Sequence, residues 1–538
     1  MIFNDKFYST DIKTLLQIIL KQIKENDHIL NIPKHLIFEP QKNDFLKWKF
    51  VGQDADSPLG LAAGPQTQMT QNIIAAWLSG ARFIELKTVQ TLDELEISKP
   101  CIDMQEEGYN CEWSQELKIE QSIDEYAKAW VLIHILAHEL GFGAPNVIFN
   151  FSVGYNFEGI MKPNVQWFID NITNSKTIVN NQVEKIKDIY TNIEQLKIPE
   201  NLSNNVTLST MHGCPPQEIE QIASYLISKR KLNTIVKLNP TLLGKEKVRE
   251  IIKKSGFATQ VPDIAFEHDL KYPQAVELIK NLLQLAAQNN VFFGIKLTNT
   301  LESVNNKDVF AIENEMMYMS GKPLHLLAVN LAQKLQNEFS GTLNVSFSAG
   351  VSAYNVVETL GCGFAPITIC SDLLKPGGYP KLYQYFQNLR QLNNNFKNID
   401  EFILSKHSSS NLNINKAKIE NIDSYANQIL NDNYYKKQGF QPISIKTSRK
   451  LTKFDCISAP CQDTCPTNQL IPQYLYFTQK KEFAKALKTI LSDNPLPKIT
   501  GYSCDHTCQT KCKRINYDQP LAIREINRFV TEKAKIQE

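Results

Sequence analysis

A repeated alternation of short apolar strands with longer helical patterns constrains this chain most. The candidate strands are residues 59–64, 83–88, 147–154, 206–211, 234–239, 292–298, 345–350 and 367–371. They are rich in apolar and β-branched residues and lack the strict in-and-out alternation of a half-solvated sheet, as strands buried on both faces require. Helical periodicity fills the intervals, at 70–77, 124–140, 217–229, 273–287 and 324–339. Eight strand-then-helix units in succession predict a (β/α)8, or TIM, barrel over residues 58–390, behind a helical cap at 1–57. Longer insertions at 95–122 and 256–272 follow the second and fifth strands. In such a barrel the segments after strands lie over the mouth where active sites are built.

The polar residues at the strand ends carry the chemistry. Ala62-Ala63-Gly64 closes the first strand, and small residues there leave room for a flat ligand against the backbone. Lys87-Thr88 ends the second, and a lysine at this position can stabilise negative charge on a reduced flavin. A surface ion pair is the bland alternative for any one such lysine. Asn156, Lys237, Asn299-Thr300, Gly350 and Cys370-Ser371 follow the later strands. Glycine-bearing turns after strands seven and eight suit a phosphate, because free backbone N–H groups meet the anion there.

Six of the eleven cysteines crowd the last part of the chain. Cys456, Cys461 and Cys465-Pro466 are spaced C-x4-C-x3-C-P, and Cys504, Cys508 and Cys512 are spaced C-x3-C-x3-C. Thiolates this close can converge on a metal centre, and a proline after a ligand cysteine is a habit of iron–sulfur loops. Structural zinc is the rival reading, although zinc sites favour C-x2-C pairs and ligands in fours. An Asn- and Lys-rich stretch at 391–447 reads as a linker to this cysteine domain at 448–538.

With 538 residues the chain can hold two or three domains, and its net charge of +2 argues against nucleic acid as the main partner. No apolar stretch approaches a membrane span, and the N-terminus reads as an amphipathic helix rather than a leader. These features predict a cytoplasmic protein, where clustered cysteines hold metal more often than they form disulfides.

The run PLGLAAGPQTQMTQNIIAAWLSGARFIELKTV, with VKLNP, LTNTL and ICSD in order after it, resembles the FMN barrels of dihydroorotate and dihydropyrimidine dehydrogenases. The cysteine domain resembles the small α-helical iron–sulfur domain of dihydropyrimidine dehydrogenase and of the glutamate synthase small subunit. IDMQEEGYNCEWSQEL, STMHGCPPQEI and ICSDLLKPGGY are similar to the bacterial YgfK type, an iron–sulfur subunit connected by its label with selenate reduction. No oxyanion-specific site is legible in the residues. The resemblance covers nearly the whole chain and implies an oxidoreductase with FMN in the barrel and one or two [4Fe–4S] clusters.

Carried over by position, Ala62, Ala63, Lys87, Thr88, Asn156, Lys237, Asn299, Thr300, Gly350, Cys370 and Ser371 match flavin- or substrate-contacting positions. Where those families have Asn-Leu-Ser-Cys, with the cysteine as acid or base, this chain has Thr207-Leu208-Ser209-Thr210. Thr210 is a poor proton donor. Cys214 on the same loop is the expected substitute, since a thiol titrates nearer neutrality, and His212 is a further candidate. The resemblance assigns Cys456, Cys461 and Cys512 to one cluster. It assigns Cys465, Cys504 and Cys508 to the other, with Asn527 by alignment or Glu525 by chemistry as the last ligand. The first cluster lacks a fourth cysteine, because Lys453 stands at that position.

The relatives continue into FAD- and NAD(P)H-binding domains, and no G-x-G-x-x-G occurs here. A separate flavoprotein partner is therefore expected, together with a small, heterocyclic substrate. The alternative is a non-catalytic electron-transfer or scaffold subunit, which the two threonine replacements favour.

Overall fold

The computed structural model describes residues 8–92, 100–104, 107–111, 116–209, 212–307, 309–392, 396–406, 413–437, 459–516 and 519–534. The chain divides into two compact units, one of residues 1–375 with 379–440 and one of residues 376–378 with 441–538.

The first unit is built on a closed barrel of eight parallel strands. They are β1 (Leu59–Leu61), β2 (Phe83–Glu85), β3 (Ile148–Val153), β4 (Asn205–Leu208), β5 (Asn233–Leu238), β6 (Phe293–Leu297), β7 (Val345–Phe347) and β8 (Ile367–Ile369). Each expected strand is present, and each pairs with the next in sequence until β8 closes on β1. The helices Thr70–Leu78, Ile119–Glu139, Pro216–Ser228, Tyr272–Gln288 and Lys322–Glu338 stand where the periodicity put them.

The end of the barrel opposite the mouth is plugged from the N-terminal segment. The hairpin Trp48–Phe50 and Gln53–Ala55 carries Phe50 against Phe83 and Phe292, with ring centroids 5.4 and 4.8 Å away. Helix Ile12–Glu25 buries Ile12, Leu15, Leu16 and Ile19, one stripe at helical spacing, and Asp11 caps it by accepting from the N–H groups of Lys13 and Thr14.

Over the mouth lies a four-stranded antiparallel sheet ordered Leu301–Val304, Met316–Gly321, Glu107–Asn110 and Ile102–Met104. Half of it comes from the insertion after β2. The other half is a hairpin after β6 that the sequence reading passed over. Tyr318 and Asn110 are register partners in this sheet.

The stretch read as a linker from 391 is helical over much of its described part. Its described part forms helices Ile399–Ser405 and Ile414–Asn431, and the second packs on Lys322–Glu338. Ala417, Ile422, Tyr425, Ala426 and Ile429 are buried. Their helical spacing is real, but the surrounding asparagines and lysines mask it in composition.

The second unit consists of short helices, among them Ile471–Gln479, Phe483–Asp493, Pro497–Ser503 and Ile523–Lys533. Its buried core is Ile471, Tyr474, Ala486, Leu487, Ile490, Cys508, Ile523 and Val530. A core this small is of the kind that a metal centre commonly supplements.

Candidate active site and cysteine centre

Two adjoining pockets, together the barrel cavity, lie at the inner and outer levels of the mouth. The inner part is lined by Ala62, Ala63, Glu85, Lys237, Lys296, Thr298, Gly350, Cys370 and Ser371, among others. The outer part adds Lys87, Thr88, His212, His268, Asn299, Glu302 and Tyr318. Ala63, Lys237 and Thr300 border both.

The inner layer is charged. Lys296 Nζ lies 2.5 Å from Glu85 Oε2 and donates to Thr368 Oγ1 at 2.7 Å, with both charged side chains almost wholly buried. Glu85 also accepts from the Ala63 N–H at 3.3 Å and from Thr207 Oγ1 at 3.4 Å. Lys237 is the register neighbour of Lys296. Burial, and then the nearby Lys296 ammonium, push its pKa down to about 8 against the opposing pull of Glu85. Burial pushes the Cys370 thiol up to about 12, although Gln66 and the lysines 237, 87 and 296 pull the other way. Lys237 and Lys296 therefore share the field of one glutamate. Thr298 Oγ1 and Ser346 Oγ are buried without partners. An anionic, hydrogen-bonding ligand suits these surroundings.

At the mouth, His212 Nδ1 lies 3.7 Å from Asp269 Oδ2, and its ring stacks on Tyr318 at 5.2 Å. Its Nε2 is buried without a hydrogen-bond partner. Asp269 accepts from Thr241 Oγ1 at 2.7 Å and from the Gly213 N–H at 3.1 Å. Burial opposes its ionisation, yet His212, Thr241 and Gly213 together hold its pKa down at about 2. A second pair sits beside it, His268 Nε2 to Glu302 Oε2 at 3.0 Å.

Of the residues singled out in the sequence, Ala62, Ala63, Lys87, Thr88, Lys237, Asn299, Thr300, Gly350, Cys370, Ser371 and His212 border this cavity. Asn156 does not. It caps helix Phe157–Ile160, accepting from the Gly159 N–H at 2.8 Å. Thr210 lies outside the described residues. The expectation for Cys214 is corrected, because it borders neither part of the cavity. Its thiol points at Glu218 Oε2, 3.7 Å away, and burial together with that carboxylate raises its pKa to about 12. Sequence reasoning missed Glu85, Lys296, Asp269 and Glu302. Glu85 stands three residues and Lys296 two residues before the ends of their predicted strands, a charge signature inside apolar runs that could have found them.

In the second unit, Cys465, Cys504 and Cys508 line one cavity together with Asn527. Asn527 is buried, and its Oδ1 has no partner while its Nδ2 donates to Gln469 Oε1 at 3.0 Å. A carbonyl-type oxygen and three thiols lining one cavity are ligand types that suit an iron–sulfur cluster, although among the described residues no three His, Cys, Asp or Glu side chains stand close enough to hold one metal ion. Glu525 borders no part of that cavity; it is held by Arg524 at 2.9 Å. Cys461 and Cys512 are near enough to interact electrostatically. Cys456 and Lys453 lie outside the described residues.

Comparison with known proteins follows the same division. Residues 30–437 match the family described as oxidoreductase YgfK, N-terminal TIM-barrel domain, and residues 433–538 match dihydropyrimidine dehydrogenase domain II, 4Fe-4S cluster. YgfK of Escherichia coli (strain K12), named as an oxidoreductase, is 38% identical over 541 aligned residues, which cover 96% of this chain and 50% of that protein. The chain thus spans half the length of that relative. The NADPH-Fe(3+) oxidoreductase subunit beta of Geobacter sulfurreducens (strain DL-1 / KN400) is 35% identical over 78 residues, 14% of this chain and 12% of that one. The NAD-dependent dihydropyrimidine dehydrogenase subunit PreT of Escherichia coli (strain K12) is 30% identical over 79 residues, 14% of this chain and 19% of that one. No helix of the described residues is long and apolar enough to cross a membrane. A TIM barrel matched over most of the chain and a 4Fe-4S domain after it place this chain in the YgfK oxidoreductase family.

Proposed function

We propose that this chain is a flavin- and iron–sulfur-dependent oxidoreductase subunit. In this reading FMN occupies the barrel cavity, and electrons pass through [4Fe–4S] clusters to or from a FAD/NAD(P)H-binding flavoprotein. The observation that carries it is the cation-rich cavity at the C-terminal ends of the strands, in a chain that also brings three cysteines around a second cavity.

Ala62, Ala63, Lys87 and Lys237 line the cavity and would hold the flavin, the small residues leaving room for a flat ring and the lysines stabilising negative charge on reduction. When bound, FMN supplies hydride transfer at N5, and the clusters supply one-electron transfer. Lys296, paired with Glu85, would add positive potential to the same cavity. At the mouth, His212 borders the cavity and is the residue assigned to proton transfer, with Asn239 Nδ2 3.4 Å and Asp269 Oδ2 3.7 Å from its Nδ1. Asn299 and Thr300 offer the hydrogen-bonding edge for a small, heterocyclic substrate. In the second unit Cys465, Cys504, Cys508 and the Asn527 carbonyl oxygen hold one cluster. By the resemblance, Cys456, Cys461 and Cys512 would hold the other. The named subunits of NADPH- and NAD-dependent enzymes that match over the cysteine segment support a separate electron donor or acceptor.

The test is flavin, iron and sulfide content of anaerobically purified chain, read with its visible spectrum. Bound FMN and a broad cluster absorbance are expected, and Lys87→Ala is expected to lower FMN occupancy. A colourless, iron-free protein, after anaerobic reconstitution, overturns the reading.

A further inference from the structure

Behind the cavity, away from any ligand, a buried hydrogen-bond circuit ends on the loop after β7. His325 Nδ1 lies 2.7 Å from the Ala349 carbonyl, and its Nε2 lies 2.7 Å from Tyr425 OH. Tyr425 OH lies 3.1 Å from Tyr435 OH. Asn355 Nδ2 donates to Tyr435 OH at 3.0 Å and to the Gly350 carbonyl at 3.1 Å, while its Oδ1 accepts from the Ser352 N–H at 2.8 Å. All four side chains are at most 3% exposed.

The donors run in one direction. A carbonyl only accepts, so His325 carries its proton on Nδ1. Burial pushes that ring's pKa down to about 4 despite the Ala349 carbonyl, so the ring is neutral and Nε2 accepts from Tyr425. Tyr425 then accepts from Tyr435, and Tyr435 from Asn355. No proton is contested and none is missing, which gives such a network one arrangement.

This arrangement fixes two successive peptide planes. In a trans peptide the carbonyl and the following N–H point in opposite directions. Holding the Ala349 and Gly350 carbonyls from behind turns the Gly350 and Val351 N–H groups toward the cavity, where both residues lie. Neither N–H has an acceptor among the described residues. Gly350 has φ +55°, and a Cβ there would sit 2.3 Å from the Gly321 carbonyl oxygen. Successive N–H groups in this conformation form an anion-binding concavity.

We propose that Tyr425 and Tyr435, contributed by the segment after the barrel, act with His325 and Asn355 as positioning residues that preset the 349–351 loop for the phosphate of the bound flavin. The proposal rests on the FMN reading above and adds the segment 414–435 to that site. The segment serves as a strut for the cofactor loop rather than as a spacer.

The discriminating experiment compares FMN with riboflavin, which lacks the phosphate, as fluorescence-quenching ligands of the full-length, deflavinated chain. Tyr435→Phe and Tyr425→Phe each remove one hydroxyl from the circuit at constant shape. Each is expected to weaken FMN binding by about tenfold, the scale of one buried hydrogen bond, and to leave riboflavin binding within about twofold. The ratio of the two affinities is internal to each variant, so a general loss of stability cancels. Equal weakening of both ligands, or unchanged FMN affinity in both variants, overturns the positioning role. Failure of the unmodified chain to bind either ligand overturns the flavin reading itself, and the two failures are thereby told apart.

Discussion

Glu85→Gln is the substitution whose consequences can be worked furthest. It keeps the shape and removes the counter-charge of Lys296, which is buried 2.5 Å away. Breaking a buried pair from one side costs about 3–5 kcal/mol when the remaining charge stays ionised. Lys296 has an escape, since it can fold unprotonated. At pH 7.5 an amine with an ordinary pKa is nearly three units below it, and releasing the proton at about 1.4 kcal/mol per unit costs about 4 kcal/mol. The two routes are comparable, so the expected loss is about 4 kcal/mol. The sign of its pH dependence follows. The unfolded variant binds a proton that the folded variant lacks, so the deficit shrinks by about 1.4 kcal/mol per unit as pH rises toward the ordinary lysine value. In Glu85→Gln/Lys296→Met both charges are gone, and stability returns to within about 1 kcal/mol of the parent with that slope abolished. Urea unfolding read by tryptophan fluorescence isolates this unit, because all five tryptophans (48, 77, 113, 130 and 167) precede residue 375. A deficit that is flat between pH 7 and 9, or a double variant no more stable than the single one, refutes the reasoning.

Three further outcomes are expected. The low pKa of Asp269 contributes stability that is present above about pH 4 and lost as pH falls through about 2. Asp269→Asn should therefore lower the same fluorescence-detected stability by about 2 kcal/mol at pH 6, with the deficit narrowing below pH 4. Asn527→Ala should lower iron and sulfide per chain and change the Mössbauer signature of the remaining cluster iron, whereas Glu525→Gln should leave both at parent values. Cys214, with its thiol raised to about 12, should be alkylated by iodoacetamide at pH 8 roughly a thousandfold more slowly than a free cysteine, as read by peptide mapping.

The barrel was legible because a parallel sheet covered on both faces writes itself as apolar runs, and helices between them write a second period. All eight strands end one to three residues earlier than their apolar runs suggested. Residues just after the strands, such as Lys87, Ser348 and Ala349, still line the site from outside them. The hairpin containing Leu301–Val304 and Met316–Gly321 escaped notice for a related reason. Both of its strands are largely buried, so it offered neither clean alternation nor a glycine turn between them. The helix Ile414–Asn431 escaped because composition was weighed above spacing.

At the site, single strand-end residues were legible and pairs were not. Lys87 and Lys237 announce themselves by position, but Glu85 and Lys296 are 211 residues apart, and only barrel closure brings them together. Cys214 shows the opposite failure. A thiol four residues beyond a vacated position is attractive as a substitute, yet helix Pro216–Ser228 begins two residues later and turns Glu218 onto it. The same loop delivers His212 because the Gly213 N–H is tied to Asp269, which also lies 3.7 Å from His212 Nδ1. The Asp269 carboxylate thus fixes the backbone of the loop, while Asn239 Nδ2 meets the ring at Nδ1, 3.4 Å away. In the role proposed for His212 the proton-handling group does not depend on position 210, and the replacement that first suggests a retired barrel becomes compatible with a working one.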